Sequence, residues 1–279
     1  MKQQIFIITG SIALLFSLFF FGRTIPHSKG TIPAEKETVN PVITFDLLLE
    51  KAKQLVDKQQ LTKIITLENT ISRGDLKNQK LQQYEALSLY WKDSIQNRIP
   101  YLFYQSEKAK LENSEKSLNF AAQTYLSELQ SEQEPSMKSW MANQAKELFD
   151  LVLAINPGND SAKVGWGSTF IFGASGTSSP MEGILKIREV AQKDSTNMYA
   201  QFMLGYGGML TGQFDKAIDR LNRVVKSQPA NLEAIFLLAE AYERSNQTAD
   251  AKKWYLKGKI FVTNPELIKA IDEKIKNLN

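Results

Sequence analysis

The chain has 279 residues, 43% hydrophobic and 23% charged, with no cysteine and one histidine. That composition supports a sizeable core and excludes disulfide scaffolds and cysteine nucleophiles. It also removes Ser-His triads and multi-His metal sites from the body, because His27 lies in a proline-broken stretch. The net charge of +4 comes from 34 basic and 30 acidic residues interleaved without a basic block, so nucleic-acid binding is not indicated.

Residues 1–4 form a short flank with Lys2, and residues 5–22 (IFIITGSIALLFSLFFFG) carry no charge over 18 residues. As a helix this run reaches about 27 Å, against a hydrocarbon core of about 30 Å. It exceeds the apolar region of a cleaved signal peptide, and no small-x-small cleavage site follows, so an uncleaved signal-anchor that attaches the chain to a membrane is expected. Lys2 and the N-terminal amine nearly balance Arg23, Lys29 and Lys36. The expected placement is a single pass in a bacterial inner membrane with the body periplasmic, the cytoplasmic orientation being the alternative. Residues 23–43, with Pro26, Pro33, Pro41 and Gly30, read as a flexible linker.

From residue 44 the pattern is helical throughout, and an all-α fold is predicted. Within 44–114, Phe45 to Val56 form one amphipathic stripe and Leu61 to Ile71 a second, ended by Arg73-Gly74. Leu81 to Trp91 mark a third helix and Tyr101 to Leu111 a fourth, with Pro100 at its start. The pattern leaves open whether this part is a cap or a set of degenerate repeats. Within 115–264 the helices pair: Ala121 to Tyr125 with Met137–Ala154, Asp160–Phe172 with Met181–Val190, Met198–Leu210 with Phe214–Lys226, and Leu232–Arg244 with Thr248–Phe261. Gln130–Ser136 is longer than a tight turn needs, so an extra feature is expected there. Gly173–Pro180 reads as an enlarged turn, since it lacks the Lys-Ser/Thr of a phosphate loop. Residues 265–279 form a helix with Leu267, Ile268, Ile271 and Ile275 on one side, suited to cap a stack.

The pairs echo one another. Gly205 and Ala217 are each followed 34 residues later by Ala239 and Ala251, and Pro229 is answered by Pro265. Such a period means that each unit is one helix pair stacked on its neighbours. Leu204-Gly205, Ala217, Leu221, Val224 and Pro229 in one unit, and Leu238-Ala239, Tyr242, Ala251, Tyr255, Gly258 and Pro265 in the next, resemble the tetratricopeptide repeat family. Trp166-Gly167, Phe170, Gly183, Ile187 and Val190 match more loosely, as do Ala145, Phe149, Val152 and Pro157. The resemblance implies a right-handed superhelical stack of antiparallel helix pairs covering a little over half of the chain.

It also implies a groove lined by the first helix of each pair. Here that means Val164, Ser168, Ile171 and Phe172, then Tyr199, Phe202, Tyr206 and Met209, then Glu233, Phe236, Glu240 and Glu243. Val164, Phe202 and Phe236 stand where family members that clamp a peptide carboxylate carry polar residues, so an apolar helix or peptide from a protein partner is the expected ligand. The competing reading is that the chain's own N-terminal helices or C-terminal cap bury this stripe.

No catalytic residue, cofactor, metal or small-molecule substrate is expected, and the acidic pair Asp215 and Asp219 reads as solvated surface. Asp93-Ser94-Ile95, Asp160-Ser161-Ala162 and Asp194-Ser195-Thr196 look like weak O-glycosylation acceptors, the last two also placed to cap helices. The expected function is a membrane-anchored scaffold that binds protein partners. The alternatives are a self-assembling envelope protein or an adaptor like the repeat subunits of cytochrome c assembly.

Overall fold

A computed structural model describes residues 43–73, 76–173 and 180–278. The expected anchor at 5–22 and nearly all of the linker at 23–43 lie outside the described residues, as do Gly74 and residues 174–179 of the expected enlarged turn. Among the described residues there is no strand, and no helix is long and apolar enough to cross a membrane.

Among the described residues thirteen α-helices follow one another: α1 (Phe45–Lys53), α2 (Lys58–Arg73), α3 (Lys77–Leu89), α4 (Arg98–Glu112), α5 (Glu115–Ser131), α6 (Pro135–Ile155), α7 (Asp160–Phe172), α8 (Pro180–Lys193), α9 (Met198–Leu210), α10 (Phe214–Ser227), α11 (Leu232–Arg244), α12 (Thr248–Lys259) and α13 (Pro265–Lys276). A π-helical turn, Tyr90–Ile95, extends α3 and carries the fully buried Trp91. It ends at Gln96, whose φ of 59° reverses the chain. Pro100 is the third residue of α4, where its missing amide hydrogen has no intrahelical partner to lose. The expected extra feature at Gln130–Ser136 is absent: α5 runs on to Ser131, and only Glu132, Gln133 and Glu134 separate it from α6. Glu132 secures that turn by accepting from the amides of Gln133 and Glu134 and by pairing with Arg98.

Helices α3 with α4, α5 with α6, α7 with α8, α9 with α10, and α11 with α12 pack as pairs. The first helices also meet one another, α5 against α7, α7 against α9, and α9 against α11. Each of α7, α9 and α11 is 13 residues long and opens on an asparagine. The side-chain oxygens of Asn159, Asn197 and Asn231 accept from the amides of Ala162, Ala200 and Ala234. The caps are therefore these asparagines, not Asp160 or the Asp194-Ser195 pair. Asp160 instead pairs with Lys163 and Lys193, and Asp194 accepts from the Thr196 amide and hydroxyl.

The turn inside a pair repeats too. Gly212, at φ 71°, and Asn246, at φ 60°, occupy the left-handed position that ends α9 and α11. Both are 34 residues apart, as are the amide bonds from Gln213 to the Gly208 carbonyl and from Gln247 to the Tyr242 carbonyl.

Small residues set the spacing within pairs. A Cβ on Gly167 would sit 2.6 Å from the Gly183 carbonyl oxygen, and one on Gly205 would sit 2.8 Å from Leu221. The core that results runs from Val164 and Ile187 through Ala200, Ala217 and Leu221 to Ala234 and Leu238. A second core joins α4 to α7 around Tyr125, Met141 and Phe149, and a third holds α1 to α4 around Leu49, Ile64 and Trp91. At the far end Ile271 and Ile275 of α13 are partly buried against α12 and Leu278, just past the helix, is buried, while Leu267 stays exposed.

Gly167→Ala tests the spacing argument. Alanine is the better helix former, yet backbone cannot yield as a side chain can, so a loss of about 1–3 kcal/mol is expected in chemical denaturation. Asn231→Ala should cost about 1 kcal/mol by removing the cap of α11.

Candidate partner-binding groove

The groove residues fall at equal offsets from the caps of α7, α9 and α11. Two, five, nine and twelve residues past each asparagine come Ser161, Val164, Ser168 and Ile171, then Tyr199, Phe202, Tyr206 and Met209, then Glu233, Phe236, Glu240 and Glu243. These offsets recur at about one helical turn and so put each set on one face. Because the first helices pack side by side, the three faces adjoin.

The structure divides the set. Val164, Ser168, Ile171, Phe202 and Met209 are buried and belong to the packing between helices, with the Ser168 hydroxyl donating to the Val164 carbonyl at 2.8 Å. Phe172, Tyr199, Tyr206, Phe236, Glu240 and Glu243 remain partly exposed, and Glu233 is exposed. Val164, Ile171, Phe202 and Met209 lie in the core of the stack itself, while Phe172 stays partly open. The Tyr199 hydroxyl lies near Ser168 of α7 and Gln123 of α5. Burial raises its pKa, those polar side chains draw it back, and the Glu233 charge adds to the rise.

Phe172 and Tyr206 meet with ring centroids 4.9 Å apart at 57°, joining α7 to α9. Tyr206 also has a raised pKa, from burial first and then from the charges of Glu233 and Glu240. Phe236 lies 6.4 Å from Tyr255, against the second helix of its own pair. The carboxylates differ in their duties. Glu240 pairs with Arg244 at 2.6 Å, and Glu243 accepts from the Tyr255 hydroxyl and pairs with Lys274 of α13. Glu233 has no hydrogen-bond or ion-pair partner among the described residues, and desolvation raises its pKa. The open part of the surface is therefore Tyr199, Tyr206, Phe172 and Phe236 beside one unpaired carboxylate.

Gln123 was not expected here. It lies nine residues past Ser114, the cap of α5, as Tyr206 lies nine past Asn197. The cap position was the available signal, and α5, at 17 residues, hides it by departing from the repeat length. Among the described residues no group of three or more acidic or histidine side chains is placed to hold a metal.

Residues 209–267 match the tetratricopeptide repeat family. This span holds the end of α9, the whole of α10 to α12 and the start of α13. Among solved structures, MamA (residues 41 to the end) from Desulfovibrio magneticus RS-1 aligns at 18% identity and a TM-score of 0.45, covering 67% of this chain and 96% of that one. Another MamA structure aligns at 17% identity and a TM-score of 0.44, over 65% and 91% of the two chains. YrrB, described as a TPR protein with an unusual peptide-binding site, aligns at 13% identity and a TM-score of 0.44, over 83% and 99%. A search of curated proteins finds no match.

Glu233 offers a pH test of this surface. Its raised pKa means that the folded chain holds the proton more tightly than the unfolded chain, so ionisation costs stability as pH rises through that pKa. Glu233→Gln should therefore raise the melting temperature more at pH 7 than at pH 4. Equal shifts at the two pH values would reject the desolvation account.

Proposed function

We propose that this chain is a membrane-anchored repeat scaffold that holds a protein partner, as an apolar helix or extended segment, against α7, α9 and α11. The observation that carries the reading is the placement of Phe172, Tyr199, Tyr206 and Phe236, partly exposed, on adjoining faces of successive first helices. These rings pack against the core with one side and leave the other partly exposed, which gives a partner apolar surface held in fixed positions. Ring-shaped anchors beside apolar floor suit a partner's aliphatic and aromatic side chains, and Glu233 suits a cation on the same segment. Residues 5–22 form the anchor and 23–43 the tether in this reading, with the body in the periplasm. No chemistry of its own is assigned to the chain.

A second reading, self-association at the end of the stack, draws on one observation. Leu256, Ile260, Phe261 and Leu267 are exposed together where α12 gives way to α13, Ile260 at 80%.

Affinity isolation from detergent-solubilised membranes separates these readings. Phe202→Glu is unsuitable, because Phe202 is only 8% exposed and the change would damage folding. Tyr206→Glu and Phe236→Glu are the informative variants, and each should weaken capture of the partner by roughly 30-fold or more, the scale of a lost hot-spot aromatic. Identical partners at identical yield from wild type and both variants would overturn the groove. For the second reading, light scattering on Ile260→Glu should show a fall from oligomer to monomer. Protease added to spheroplasts should digest the body if it is periplasmic and spare it if it is cytoplasmic.

A further inference from the structure

We propose a second binding site, on the side of α9 opposite the aromatic groove, for a compact oxyanion of phosphate type. Leu204, Gly208 and Thr211 face away from Tyr199, Phe202 and Tyr206 on α9. There the helix is flanked by α8 and α10, and the three enclose a cleft of about 60 Å³. Gly207 and Gly208 contribute backbone to its lining, beside Ile184, Leu204, Thr211 and Gln213. A Cβ on Gly207 would lie 3.2 Å from Ile184, and one on Gly208 would lie 3.2 Å from Ala217.

The walls are basic. Arg188 comes from α8, and Lys216 and Arg220 come from α10. No carboxylate lines the cleft. Asp219, next to Arg220 in sequence, is held by Arg223 at 3.0 Å. Among the described residues Arg188 and Lys216 have no carboxylate partner; Lys216 donates only to the Gln213 side-chain oxygen at 2.7 Å. Arg220 is fixed by donating at 2.7 Å to the side-chain oxygen of Gln201, itself wholly buried and tied to the Ser195 carbonyl. The guanidinium is thus pre-positioned by a buried amide rather than neutralised by an acid. Burial first, then the charges of Arg223 and Arg188, lower its pKa against the opposing pull of Asp219.

The neighbouring pairs show that this charge is local and not a property of the repeat. One unit on, the positions of Arg188, Lys216 and Arg220 are held by Asn222, Asp250 and Trp254, and one unit back by Asp150, Glu182 and Lys186. In the first of these Asn222 donates to the Tyr242 hydroxyl, and in the second Asp150 accepts from Trp166 and pairs with Lys146. Both are occupied by the chain's own partners. Of these three positions along the stack, the cleft between α8 and α10 is the one that, among the described residues, presents three cations around a volume that would take about two waters or one tetrahedral anion. Arg and Lys together suit a doubly charged oxyanion, the guanidinium groups offering paired donors and the ammonium a point charge.

The experiment titrates the full chain in detergent with inorganic phosphate at constant ionic strength, chloride making up the balance, and follows melting temperature and ³¹P NMR line width. The wild type should gain stability with phosphate beyond the chloride control and should broaden the phosphate signal. Arg188→Gln changes an exposed side chain, should fold normally, and should weaken phosphate binding about tenfold or more, as should Lys216→Gln. Arg220→Gln, which also breaks the bond to Gln201, should lower melting without phosphate and abolish the response. Soluble dioctanoyl phosphatidic acid, titrated in the same way, distinguishes the sources: tighter binding than phosphate assigns the cleft to a lipid headgroup, equal or weaker binding to the free ion. A wild type that responds to phosphate no more than to chloride, or Arg188→Gln and Lys216→Gln that respond as the wild type does, would overturn the site.

Discussion

Close approach of two helices at small residues is the contact on which the other features of this molecule depend. Gly167 against the Gly183 carbonyl, Gly205 against Leu221, and Gly208 against Ala217 bring the members of a pair together. A pair at that spacing has one apolar side left uncovered, and covering it with the next pair is what builds the stack. The spacing also fixes register. Once the pairs are in contact, the caps at Asn159, Asn197 and Asn231 start first helices of equal length, so the same face of each adjoins that of the next.

Register then produces two different surfaces on α9. On one side the offsets align Tyr199 and Tyr206 with Phe172 of α7 and with the carboxylates of α11. On the other, Gly207 and Gly208 admit α8 and α10 so closely that Arg188 and Arg220 converge over backbone. The same two glycines that serve packing also contribute backbone to the lining of that cleft. A helix of 13 residues thus carries a ring-lined face and supports a basic cleft.

Much of the fold was legible because the repeat is written in residue types with one physical role each. Gly and Ala at a fixed period signal close approach, and the limits of α7, α9 and α11 followed from apolar spacing to the residue. Where legibility failed, helix length had departed from the repeat. Gln130–Ser136 looked like a long connection because α5 exceeds its counterparts, and the groove position of Gln123 went unseen for the same reason. The caps were misplaced by one residue at Asp160, since Asp, Ser and Asn share the chemistry that a cap requires. Only the amide of Ala162 selects among them.

The sequence by itself determined the all-helical class, the pairing of helices from residue 115 onward, and the face of each first helix, because periodicity and side-chain size act locally along the chain. Which members of that face remain open was decided only by tertiary structure. Tyr199 beside Ser168 and Gln123, Glu243 drawn to Tyr255 and Lys274, and Glu233 left unpaired all depend on side chains far apart in sequence. So does the basic cleft, whose cations come from separate helices. Burial and pairing are properties of neighbours in space, and a period along the chain states where neighbours will be without stating how far each side chain reaches.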